Sequence, residues 1–146
     1  TAMVVKGRKP LLGGHLSAVL KGLEKAHKDK ASRWTRGRAW ELLTGDPKPL
    51  VSVMIDDIKI RNSRVKGIAV LGFARLSPRA KVHATNALIA ALAAAPSGAP
   101  SVFFESALAS IGQLALPALR QAKKHKLAKV RAAASRALNR IPASRR

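Results

Sequence analysis

The chain has 146 residues, 47% of them hydrophobic but only 3% aromatic, and no cysteine. That is enough for a core of one domain's size, and it excludes disulfides and thiolate metal sites. Its 28 lysines and arginines face 7 acids, for a net charge of +21, where a small domain needs only about 2 to 8 for solubility; the excess opposes compaction and favours a polyanionic partner.

Residues 1–14 carry Lys6, Arg8 and Lys9 beside Gly7 and Pro10, and read as a basic arm. Leu16, Val19, Leu20, Leu23 and Ala26 share one helical face, which predicts a first helix over His15 to His27. After Lys28-Asp29-Lys30, Ser32 reads as the N-cap of a second helix from Arg33 to Thr44. Gly45, Pro47 and Pro49 then mark a stop and a new start. A third helix from Leu50 to Lys59 carries Leu50, Val53, Met54 and Ile58. Asn62-Ser63 caps a fourth, which ends near Leu76. Ser77-Pro78 sets an N-cap and a first-turn proline for a fifth, reaching Ala95.

Pro96 to Pro100 forms a neutral loop, and a sixth helix covers Ser101 to Ala115. Pro117 opens the seventh. The turn Lys123-Lys124-His125-Lys126 leads into the eighth, which stops at Ile141-Pro142. No segment alternates with the period of two that a strand requires.

The even-numbered helices repeat one another. Val130, Ala133, Ala134, Ala137, Leu138 and Ile141 make an apolar stripe, and Val65, Ile68, Ala69, Gly72, Phe73 and Leu76 make another at the same steps. Phe104, Ala107, Leu108 and Ile111 form a shorter copy, and Thr35, Arg38, Ala39, Leu42 and Leu43 a worn one. Three copies share a basic residue, a small one, any residue and then alanine: Arg36-Gly37-Arg38-Ala39, Lys66-Gly67-Ile68-Ala69 and Arg131-Ala132-Ala133-Ala134. The small residues predict close helix–helix approach. Helix pairs this short cannot bury their apolar faces alone and must stack. The expectation is an all-α fold of about four antiparallel helix pairs over residues 15–142, between the basic arm 1–14 and a basic tail 143–146.

Ala107-Leu108 through Ile111-Gly112, then Ala115-Leu116-Pro117-Ala118-Leu119, then Val130-Arg131-Ala132-Ala133-Ala134 to Ala137-Leu138, carry a likeness to one repeat junction. Over about the last 40 residues the sequence resembles the HEAT repeat family, in the bacterial HEAT-like form of phycobilin lyases. The resemblance implies a right-handed α-solenoid, and an architecture rather than an activity. In that family the corresponding turn often carries an aspartate; here it holds Lys123-Lys124-His125-Lys126.

Stacked pairs would bring the starts of the second helices to one edge, and three of the four starts are basic. The first has Lys28, Lys30, Arg33, Arg36 and Arg38, and the second Lys59, Arg61, Arg64 and Lys66. The fourth has Lys123, Lys124, Lys126, Lys129 and Arg131, while the third is neutral. Cations there oppose the helix dipole by about 0.3 to 1 kcal/mol each, so stability alone would not gather them. Together with the free amides of helix N-termini they suit phosphate. These residues are the candidate site for the backbone of DNA or structured RNA. Asparagine, glutamine and aromatic residues are too few to predict reading of base edges or a stacking platform. An acidic protein, or burial of the charge in a ribonucleoprotein or other large assembly, is the alternative.

No catalytic or cofactor pattern emerges, and the expectation is a non-enzymatic protein. Asp56-Asp57 reads as structural, with Asp57 one turn from Arg61, and His15, His27, His83 and His125 lack metal-ligand spacing. HEAT-like DNA glycosylases place tryptophans and an aspartate around a lesion; Trp34 and Trp40 do not match them residue by residue. Ala84 to Phe104 is uncharged, but Pro96, Gly98 and Pro100 interrupt it, so no integral membrane segment is expected. Residues 1–14 have no apolar core suited to a secretory signal, which favours an intracellular over a secreted protein while leaving the compartment unassigned.

Overall fold

The computed structural model describes residues 30–142, together with Ala18 and Lys21, both helical. The predicted arm, the rest of the first predicted helix, Lys28 and the tail 143–146 lie outside the described residues. The fold is all-α, with no strand among the described residues. The chain divides into two compact units, one up to Val53 and one from Met54 onward.

In the first unit, helix α1 (Lys30–Thr44) and the start of α2 (Lys48–Lys59) are joined by a tight turn. Gly45 takes a positive φ of 76° there, and its amide closes on the Glu41 carbonyl at 2.7 Å. Asp46 Oδ1 accepts the Lys48 amide at 3.0 Å, serving the first turn of α2. The predicted stop and start at Gly45 to Pro49 is therefore present. Two expectations for α1 need correction. Ser32 lies inside the helix and is not its N-cap. The stripe Thr35, Arg38, Ala39, Leu42, Leu43 is not the buried face, because Thr35, Arg38 and Leu42 are exposed. Of that stripe only Leu43 is fully buried; Gly37, outside it, is buried too, and a Cβ on Gly37 would lie 2.7 Å from Leu50 Cα. The α1 and α2 backbones approach more closely than any side chain permits.

The second unit contains the rest of α2, then α3 (Ser63–Phe73), α4 (Pro78–Ala94) and α5 (Val102–Ile111). A 3-10 turn (Gly112–Ala115) leads directly into α6 (Leu116–Ala122), and α7 (Ala128–Arg140) completes it. The predicted caps are formed: Asn62 Oδ1 accepts the Arg64 and Val65 amides at 3.0 and 3.2 Å, and Ser77 Oγ accepts Ala80 N–H at 3.2 Å. Gly112 has φ 77°, a left-handed value that ends α5.

Helix α5 is the centre of this unit, packing against α3, α4 and α7, and α7 also packs against α6. Its predicted stripe, Phe104, Ala107, Leu108 and Ile111, is buried throughout. So are Val130, Ala133, Ala134, Ala137 and Ile141 of the last helical stretch, although Leu138 is only half-buried. In α3, Ala69 and Phe73 are buried together with Leu76 just beyond, but Ile68 is 56% exposed, against expectation. The run Val102–Ala122 is the one helical stretch among the described residues long and apolar enough to cross a bilayer by length and composition, and 50% of its apolar window is buried within the fold.

Candidate nucleic-acid interface

Three turns meet at one end of the second unit: α2 to α3, α4 to α5, and α6 to α7. The first two border a cavity of about 320 Å³ lined by Lys59, Lys66, Ala95, Pro96 and Pro100 over the buried ring of Phe104. A neighbouring hollow of about 350 Å³ joins Ser97 and Gly98 of the α4–α5 loop to Leu127 and Lys129 at the start of α7. Lys66 Nζ lies 4.9 Å from the centroid of Phe103, which sets the first turns of α3 and α5 side by side. The Lys129 ammonium donates to the Ala95 carbonyl, tying α7 to the end of α4.

The cations predicted for this end fall into two groups. Arg61, Arg64, Lys123, Lys124 and Lys126 are exposed, at the head of α3 and in the α6–α7 turn. Lys66, Lys129 and Arg131 are also there but serve the fold. Arg131 Nη1 donates to the carbonyls of His125 at 2.6 Å and Lys126 at 2.9 Å, closing the turn that the other lysines stand on. His125 Nδ1 accepts the Leu127 amide at 3.0 Å, which fixes its neutral form as the Nε2–H tautomer. The turn is thus a held platform, and its lysine ends point to solvent. Because α5 packs between α3 and α7, the two exposed groups are separated by roughly two helix spacings, about 16–20 Å.

In the first unit, Lys30 is the first residue of α1 and Arg38 is exposed. Arg33 and Arg36 are half-buried and line a separate cavity with Trp40, Pro49 and Ser52. The sequence had grouped Arg33, Arg36 and Arg38 as one edge; the helix turns Arg38 away from the other two.

Two arrangements had no sequence signal. Glu105 is 2% exposed and accepts from Arg136 Nε at 3.0 Å and from the Ser101 hydroxyl, while Arg136 Nη2 donates to Ser101 Oγ at 3.2 Å. Arg140 donates to Ser106 Oγ one turn on. Arg136 and Arg140 of α7 are therefore engaged by α5, and neither pairing is visible without knowing which helices touch. Among the described residues no group of acids and histidines could hold a metal ion. Comparison with protein-family models, curated proteins and solved structures gives no match for the chain.

Proposed function

We propose that the chain is a HEAT-like α-solenoid that binds nucleic acid by its phosphate backbone, without catalysis, along the basic end of its helix pairs. One observation carries the reading: Arg61 and Arg64 on one side of α5, and Lys123, Lys124 and Lys126 on the other, are exposed at the same end of the second unit. The solenoid is supported by α5 taking α3 and α7 as neighbours, with the first turns of α3 and α5 side by side. Between the two cation groups the middle turn is uncharged, so a duplex laid across it meets positive charge at two separated places. Duplex DNA carries one phosphate charge per about 1.7 Å of axis, so both groups have phosphates within reach. Such contacts position a duplex without reading its sequence.

Replacing Lys123, Lys124 and Lys126 together by glutamate tests the assignment. Each phosphate contact contributes roughly 0.9 to the exponent of the salt dependence, so three lost contacts cost on the order of a hundredfold or more in affinity at 0.1 M salt. Helix content by circular dichroism stays unchanged, since all three side chains are exposed. Unchanged duplex affinity in the triple variant overturns the proposal.

A further inference from the structure

The cavity over Phe104 has a chemistry unlike that of the basic end it opens on. One wall is the last turn of α4 and the loop after it, where Ala91, Ala94, Ala95, Pro96 and Pro100 offer only methyl groups and proline rings. These short side chains leave a space of about 320 Å³ unfilled, while Leu88 and Leu92 of the same helix turn into the core. Ile58 and Phe104, both buried, line it as well. The backbone of that loop is largely satisfied. Pro96 and Pro100 have no N–H, the Ala95 and Ala99 amides donate to the Leu92 and Pro96 carbonyls at 3.3 and 3.1 Å, and the Ala95 carbonyl accepts from Lys129. The polar side chains of the lining are Lys59 and Lys66, and the Lys66 ammonium is held 4.9 Å above the centroid of Phe103. Neither lysine has an acid partner among the described residues, and no acid is among the described residues that line the space.

We propose that this cavity binds a small apolar carboxylate, its hydrocarbon body against the alanines, Ile58 and Phe104 and its charge at Lys59 and Lys66. The inference goes beyond the nucleic-acid reading and does not depend on it. A concave apolar wall with a few convergent polar groups is the usual form of a small-ligand site. The volume is at the low end of the range for such sites, which suits one or two rings or a short chain. A bare phosphate would make no use of the apolar wall, and a cation would meet two ammonium groups and no acceptor side chain. An apolar body gains from leaving water, and a carboxylate adds charge-assisted bonds from the lysines.

The test is calorimetric titration of the full chain with naphthoate, with its uncharged counterpart naphthamide, and with acetate. Naphthoate binds saturably, and naphthamide binds roughly tenfold more weakly, the scale of a hydrogen bond to a charged group. Acetate, which has the charge without the rings, shows no saturable binding. Lys66→Met lowers naphthoate affinity by roughly tenfold and leaves naphthamide unchanged. Lys124→Met, which removes an exposed charge outside the cavity, leaves both unchanged. Ala91→Leu and Ala94→Leu, the latter at an exposed position, each narrow the space and weaken both aromatic ligands. Absence of saturable naphthoate binding to the parent protein overturns the proposal. So does an equal loss in Lys66→Met and Lys124→Met, or undiminished binding in both alanine variants, since either result places the anion elsewhere on the basic surface.

Discussion

Glu105 is the last acid in the chain, and its position shows that a charge in this basic protein can serve the packing of the fold. Its carboxylate is buried on α5, held by Arg136 of α7 and by Ser101, at the seam between two helices. Removing one partner of a buried ion leaves the other poorly solvated, which costs more than the pair contributes when formed. The Arg136 side chain is 54% exposed, and Ser101 still serves the carboxylate, so the cost lies at the lower end. Arg136→Ala therefore lowers unfolding free energy by about 1–3 kcal/mol in urea titrations, even though it relieves positive charge. A stability unchanged or increased would mean that self-repulsion outweighs the pairing. Arg136 and Lys124 are both basic residues in the basic C-terminal third, yet one fastens α7 and the other faces solvent.

At the scale of elements, two glycines that look equivalent in sequence behave differently. Gly37 and Gly67 hold the same place in the Arg36-Gly37-Arg38-Ala39 and Lys66-Gly67-Ile68-Ala69 segments, which predicted close approach for both. Around Gly67 nothing lies within 4 Å of an added Cβ, whereas at Gly37 the Leu50 backbone stands in the way. Gly67→Ala should stabilise the protein by about 0.5–1 kcal/mol, through α3 helix propensity. Gly37→Ala should destabilise it by about 1–3 kcal/mol, since backbone has to move. Thermal melts of the two variants shift in opposite directions; shifts of the same sign would contradict the packing of α1 on α2.

Much of the element map was legible because its signals are local. Asn62, Ser77 and Gly45 act on neighbouring amides and carbonyls, and the Phe104 to Ile111 stripe follows from helical period alone. What was not legible depends on which helix lies opposite. Ile68 and Leu42 fit an apolar stripe by spacing and still face solvent, at 56% and 57% exposure. In α1 the contact with α2 is made through Gly37, a residue with no side chain for a pattern to register. The candidate site was legible in part for the same reason: a lysine run announces itself, but the turn under it is closed by Arg131, and the Trp40 cavity needs two helices to exist.

For the whole molecule, a net charge of +21 is a standing cost to the compact state, and an anionic partner offsets it. The proposed role treats that cost as the origin of affinity, with Arg61, Arg64, Lys123, Lys124 and Lys126 as the phosphate contacts of the second unit. The measurement that bears on this most directly is the affinity of the intact protein for two duplexes of unrelated sequence across a range of salt. Phosphate contacts through these five exposed cations give a log–log slope of about −4.5 or steeper, nearly equal for both sequences. A slope near zero, or strong preference for one sequence with weak salt dependence, would contradict the account.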